Sequence, residues 1–271
     1  MPLHQRIVVV GAGHMGSVLV QGLRATMPQV PLTVVEAAEE RAAALRAEGV
    51  QTAPQYRPEP SDLVLLALPP QALDSFADTT APGTFREVTV VSVMAGVPIA
   101  VLSRRLGAPR VVRAMPNMAS QVFQGMTVLC AGPGVAPAEA ARAEGVLGSI
   151  GRVLAVSDEA LLDDATALAG GGPAFVAYVA KAFRDFAEAA GFTDEQALDV
   201  TCQVLRGTAD LLERTGQDPE QVYRSVMTPG GTTEQGILAL EEHDLHGILV
   251  TALRRAARRA RELGDDSQPI G

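Results

Sequence analysis

The sequence predicts an α/β fold, a doubly wound sheet of mainly parallel strands followed by an all-helical domain. Three observations predict it. Apolar, β-branched runs alternate with helix-like segments through the first 156 positions, the pattern of repeated βαβ units. The first run, Ile7-Val8-Val9-Val10, stops at a glycine pattern that passes directly into a helix. From Ser157 onward no convincing strand remains and only helical periodicity continues.

In chain order, Gly11-Ala12-Gly13-His14-Met15-Gly16 joins the first strand to a helix from Ser17 to about Thr26. Gly11 allows a tight turn, Gly13 lets the backbone approach a pyrophosphate, and Gly16 lets helix pack on strand. The helix N-terminus offers unpaired N–H groups to phosphates, so Gly11, Ala12, Gly13, His14, Met15 and Gly16 are candidates for binding a dinucleotide. Pro28 and Pro31 lead to a second strand, Leu32 to Val35, which ends at Glu36. A carboxylate at this distance from the glycines binds both ribose hydroxyls of NAD and repels the 2′-phosphate of NADP. The alternative is an acid that starts the next helix, since Glu39 and Glu40 follow.

A helix through Arg41 to Ala47 and a Pro-rich connection precede a buried strand, Asp62 to Leu68, closed by Pro69 and Pro70. Val88 to Val93 is the next strand, ending at Met94-Ala95-Gly96, where two small residues admit a flat cofactor ring. A helix from Ile99 to Leu106, a strand from Arg110 to Met115 and the turn Met115-Pro116-Asn117 follow. A strand from Met126 to Ala131, a helix from Pro137 to Leu147 and a strand from Val153 to Val156 complete a first domain, residues 1–156. Such sheets bind ligands outside the carboxyl ends of their strands, which adds Ala67, Leu68, Pro69, Ala95, Gly96 and Asn117 to the cofactor candidates.

Residues 157–271 form the second domain, with helices over Glu159–Ala169, Pro173–Ala190, Asp194–Thr215, Pro219–Met227, Thr232–Glu242 and Asp244–Leu263. They carry more apolar positions, among them Leu198, Val200, Val204, Leu205, Leu211 and Leu212, than a lone helical layer buries. Self-association as a dimer or larger oligomer is expected, the alternative being a compact monomeric helical domain.

Composition narrows the function. A net charge of −9 over 271 residues argues against a nucleic-acid or anionic-membrane partner, because phosphate neutralisation needs surplus Lys and Arg. No apolar run approaches the roughly 18 residues of a membrane span, and the N-terminus enters the first strand without a signal peptide's regions. The protein reads as cytoplasmic. Cys130 and Cys202 lie in unrelated contexts and the four histidines are scattered, so no metal site is expected. The basic run Arg254 to Arg261 reads as a solvated helix face. Lys181 is the only lysine, in the middle of a helix, which makes lysine-dependent hydroxyacid dehydrogenases a poor match unless it is that one.

A dinucleotide domain followed by a helical one points to hydride transfer, with substrate held between the sheet's carboxyl edge and the second domain. The most informative stretch there is Thr228-Pro229-Gly230-Gly231-Thr232-Thr233-Glu234-Gln235-Gly236. Pro and two glycines form a tight loop that feeds a helix, so N–H groups around Gly231 to Glu234 make a carboxylate cradle. Thr232 with Gln235 fits a capping box, which leaves Thr233 as the hydroxyl for substrate; alternatively both threonines only cap. Ala169-Gly170-Gly171-Gly172-Pro173 lacks the ending of a P-loop and reads as a close-packing junction.

These residues resemble the pyrroline-5-carboxylate reductases over essentially the whole length. The resemblance rests on the first glycine turn, Ala95-Gly96-Val97, Val112 to Asn117, Gly170 to Ala174, and above all Pro229 to Thr233 followed by Leu240-Glu241-Glu242. It implies a Rossmann domain with a helical dimerisation domain, NADPH or NADH as cofactor, and an active site completed by a partner subunit. Together with the loop's own geometry this makes Thr228, Gly230, Gly231, Thr232 and Thr233 the candidate substrate contacts, with Thr233, or a water it holds, as the candidate catalytic group at the imine nitrogen. The chain departs from the family's usual pattern at Ala169 and Gly171, where serines are common, at Leu68-Pro69-Pro70, at Met118 and at Glu36-Ala37-Ala38. Other readings are a reductase of a six-membered cyclic imine, or a catalytically silent nucleotide-binding homologue.

Overall fold

The computed structural model describes residues 6–59 and 61–266. One sheet contains β1 (Ile7–Val10), β2 (Leu32–Val35), β3 (Gln51–Ala53), β4 (Leu63–Leu66), β5 (Thr89–Ser92), β6 (Val111–Met115), β7 (Gly125–Ala131) and β8 (Gly151–Val156). Their spatial order is β3-β2-β1-β4-β5-β6-β7-β8, and all neighbours are parallel except β6 and β7. The order reverses direction between β1 and β4, the switch point where such sheets open a crevice.

The helices of this part are α1 (His14–Thr26), α2 (Glu39–Ala47), α3 (Leu73–Asp78), α4 (Ile99–Leu106), α5 (Pro137–Leu147) and α6 (Leu161–Ala165). Along β1, Val8 and Val10 join one apolar core while Ile7 and Val9 join the other; β4 divides Val64 and Leu66 from Leu63 and Leu65 in the same way. Successive side chains of a strand face opposite ways, so an unbroken apolar run is what a sheet covered on both faces requires. Leu73, Leu102 and Leu162 bring α3, α4 and α6 onto the first core; Leu19, Leu23 and Leu147 bring α1 and α5 onto the second. Each such side chain contributes about 1.5–3 kcal/mol by leaving water.

Two elements go beyond the expectation from sequence. The connection after Ala47 contains β3, three residues paired with β2 from Thr33↔Gln51 to Val35↔Ala53. Gln51-Thr52-Ala53 has no apolar run to announce it, and pairing to a finished neighbour makes it a strand. The segment after Pro70 forms α3, only six residues long and held by Leu73 in the core.

Beyond Val156 every regular element among the described residues is helical. Five helices follow α6: α7 (Gly172–Ala189), α8 (Asp194–Thr215), α9 (Pro219–Ser225), α10 (Thr232–Glu242) and α11 (Leu245–Asp266). Local chemistry sets their ends. Thr193 and Gln196 exchange side-chain-to-backbone bonds in a capping box that starts α8, and Gly216, at φ 62°, stops it. Asp218 caps α9 and Pro219 opens it. Packing divides the chain into a unit ending at Gly171 and resumed at Arg255, and a second unit from Gly172 to Arg254. The sequence places its boundary at Val156; the division falls later because Leu162 and Ala165 of α6 belong to the sheet's core.

Within the second unit, apolar side chains stand in solvent. Leu198, Val200, Val204 and Leu211 of α8 are 53%, 47%, 45% and 45% exposed, and Tyr178 and Phe186 of α7 are 79% and 77% exposed. Side chains of this size on neighbouring helices are uncovered to an extent that marks an interaction surface. No helix among the described residues is long and apolar enough to cross a membrane.

Candidate active site

The first glycine turn is shaped by contacts that tolerate no side chain at two of its glycines. Gly11 has φ +91°, and a Cβ there would lie 2.8 Å from Leu68 Cδ2. A Cβ on Gly16 would lie 1.9 Å from the carbonyl oxygen of Gly11, so the closeness of helix and strand requires glycine. Gly13 differs: nothing lies within 4 Å of its Cβ direction, which is open space. Gly13 is also the N-cap of α1, without a side-chain cap and with no acid in the first turn, so the leading N–H groups face that space unneutralised. This cradle fits a dinucleotide pyrophosphate.

An open cleft beside the turn is lined by Ala12, Gly13, His14, Ser17, Gln121 and Arg41, among others. His14 Nε2 and the side-chain amide of Gln121 meet at 2.5 Å at its exposed margin. Ala67 and Leu68 at the end of β4 are half-buried, with Pro69 exposed beyond them. Ala95 is exposed and Gly96, at φ +73°, is buried after β5. Ala67 to Pro69 and Ala95 to Gly96 follow the carboxyl ends of the parallel strands β4 and β5.

Glu36, at the end of β2, is buried, and both its oxygens are engaged. Oε2 accepts from the Ala12 N–H at 2.9 Å; Oε1 accepts from the Ala38 N–H at 2.7 Å and from Arg41 Nη2 at 2.9 Å. Helix α2 begins only at Glu39, so the first-turn acids are Glu39 and Glu40, not Glu36. Burial pushes the Glu36 carboxyl pKa up, but the bonds from Arg41, Ala38 and Ala12 outweigh it and hold the group below its ordinary value. Sequence reasoning missed Arg41; the signal was an arginine five positions after the acid, in the first turn of the helix that follows it.

Asn117 is buried and its amide is used within the protein. Its nitrogen donates to the Ala169 carbonyl at 2.9 Å, and its oxygen accepts from the N–H of Ala119 at 3.2 Å and of Met126 at 3.3 Å. It therefore fastens the end of β6 to the stretch Thr166–Gly170, which is wound as a π-helix. Gly170 packs against Met115, a Cβ there falling 2.8 Å from its Cε, as a close-packing junction requires. Arg113, two residues before Met115 on the same face of β6, is buried and paired with Glu159 at 3.1 Å and Asp163 at 3.0 Å; Glu159 also accepts from the Ile99 N–H at 2.8 Å.

The loop before α10 departs from the expected capping box. The N-cap is Gly231, without a side-chain cap, and Thr232 and Thr233 are the first two helical residues. Thr232 does not cap with Gln235; instead Glu234 reaches back and accepts from the Gly230 N–H at 2.6 Å. Glu234 bonds Gly230 and not the N-cap because the Gly231 N–H is already engaged, donating to the Thr228 carbonyl at 2.7 Å; the approach is close, and a Cβ on Gly231 would lie 2.3 Å from Thr228 Oγ1. Both threonine side chains are exposed, and neither hydroxyl has a hydrogen-bond partner among the described residues. Thr232 and Thr233 thus present two hydroxyls and the leading amides of a helix together. Lys181, on α7, is exposed and paired with Asp185 at 2.5 Å.

Residues 159–263 match the family described as pyrroline-5-carboxylate reductase dimerisation, and residues 6–96 match NADP oxidoreductase, coenzyme F420-dependent. The chain is 33% identical over 265 residues to the pyrroline-5-carboxylate reductase of Pseudomonas aeruginosa, covering 96% of this chain and 97% of that one. It is 33% identical to that of Methanosarcina acetivorans, covering 96% and 98%. The solved structure of a pyrroline-5-carboxylate reductase from Coxiella burnetii superposes with a TM-score of 0.84 at 32% identity, over 95% of this chain and 97% of that one. The Plasmodium falciparum pyrroline carboxylate reductase, solved with NADP bound, has the same fold, with a TM-score of 0.83 at 21% identity over 96% and 99%. With relatives of this similarity spanning nearly its full length, the chain belongs to the pyrroline-5-carboxylate reductase family.

Proposed function

We propose that this protein reduces 1-pyrroline-5-carboxylate to proline with NADPH or NADH, as a cytoplasmic oligomer assembled through its C-terminal helices. The observation that carries the reading is a pair of uncapped helix N-termini in one chain, α1 after its glycine turn and α10 before its paired threonines. The near-full-length relatives supply the substrate.

When bound, the nicotinamide supplies a hydride to the imine carbon. The amides at the start of α1 hold the pyrophosphate, and the small residues Ala95 and Gly96 leave room for a flat ring. The amides of Thr232 and Thr233 hold the ring carboxylate, helped by the positive end of α10. The imine nitrogen takes one proton as its carbon takes the hydride, so C=N becomes CH–NH. A substrate that enters as the protonated iminium brings that proton itself, and Thr233, or a water it holds, orients the nitrogen. Positioning of this kind is worth about 7–11 kcal/mol of the barrier. Thr228, Gly230 and Gly231 shape the loop, and the exposed apolar faces of α7 and α8 support assembly.

The test is purified protein with 1-pyrroline-5-carboxylate, following cofactor absorbance with NADH and with NADPH. Oxidation of either is expected; oxidation of neither sinks the reading, and faster turnover of the six-membered imine would replace the substrate.

A further inference from the structure

Glu36 is held by the main chain and Arg41 is not. The Glu36 side chain is 5% exposed and anchored by the N–H groups of Ala12 and Ala38, whereas the Arg41 side chain is 58% exposed and meets it through one nitrogen. An ion pair with so exposed a partner adds little to stability, so the guanidinium turns away at small cost while the carboxylate stays in place. Arg41 also lines the cleft that contains Gly13, His14 and Ser17. If the glycine turn holds the pyrophosphate, the end of β2 meets the adenosine ribose, and a cation stands there beside the acid. Its acidic neighbour Glu39 is taken by Arg46.

We propose that Arg41 receives the 2′-phosphate of NADPH, so that this chain accepts NADPH although an acid ends β2. The fork of a guanidinium matches phosphate oxygens two at a time, and turning toward the phosphate exchanges one anionic partner for another. Glu36, engaged by two amides, keeps the glycine turn in shape under either cofactor. The inference rests on the reading of Gly11 to Gly16 as a nicotinamide-dinucleotide site.

The experiment is direct binding, by calorimetry or cofactor fluorescence without substrate, of NADPH and NADH to the wild type, Arg41→Gln and Arg41→Lys. Arg41→Gln is expected to lose about 10- to 100-fold in NADPH affinity while NADH affinity changes less than about twofold. Arg41→Lys should keep part of the NADPH affinity, as charge without the fork. Equal losses for both cofactors, unchanged NADPH binding, or a wild type that binds NADH alone would each overturn the proposal and leave the glycine turn's role standing. A wild type that binds neither cofactor overturns that role as well.

Discussion

The main-chain N–H of Ala12 donates to the carboxylate of Glu36 at 2.9 Å, across 24 positions of sequence, so the acid that ends β2 holds the glycine turn that ends β1. Glu36→Gln weakens three charge-assisted bonds at a buried group and is expected to cost about 1–3 kcal/mol. The native carboxyl pKa is depressed. Its stabilisation is therefore complete above the ordinary carboxylate value of about 4.3 and is lost as pH falls through the lower folded value. Urea unfolding should show a gap between wild type and variant near neutral pH that narrows in acid; a gap independent of pH contradicts the assignment.

Gly16 and Gly13, three positions apart, separate folding from binding. Gly16→Ala places a methyl 1.9 Å from a main-chain oxygen and should lower stability by several kcal/mol, about 3 or more. Gly13→Ala meets nothing within 4 Å, so it should fold normally and lose affinity for either dinucleotide. Thermal melts with a cofactor titration distinguish the two, and a Gly13→Ala protein with native affinity would remove the turn from the phosphate site.

Arg113, with its side chain 7% exposed, balances Glu159 and Asp163. Arg113→Ala leaves two carboxylates without their cation and is expected to cost about 3 kcal/mol in urea unfolding. The double change that also neutralises Asp163, Arg113→Ala with Asp163→Asn, should recover part of the loss; strictly additive effects would show that the residues do not interact.

At α10, Thr233→Ala should reduce turnover and leave cofactor affinity nearly intact, whereas Glu234→Gln should act on substrate binding. Glu234 keeps a negative charge at the helix end that is to receive the substrate carboxylate. Removing the charge while retaining an acceptor for the Gly230 N–H should lower the substrate KM about threefold, with a stability loss of about 0.5 kcal/mol. Steady-state kinetics read both, and a raised KM in Glu234→Gln would reverse the interpretation.

The long elements were legible because their patterns are set by burial on one or two faces: Ile7 to Val10 reads as a strand from its apolar run alone. Elements decided by partners were not. Gln51 to Ala53 is a strand through its pairing with β2, and the place of the cap before α10 follows from the closeness of Gly231 to Thr228. The same distinction holds in the site. The glycine turn is a local pattern, but the bonds of Glu36 with Ala12 and of Asn117 with Ala169 join residues whose nearness only the folded chain reveals.

Arg261 pairs with Asp164, 97 positions earlier, and both belong to the unit that carries the sheet. That unit is therefore discontinuous in order of synthesis: the strands and α6 emerge from the ribosome well before the helix segment that completes them. During this interval the second unit must be made in full, so the docking of the segment from Arg255 onward is a late, long-range closure rather than part of the early collapse of the sheet.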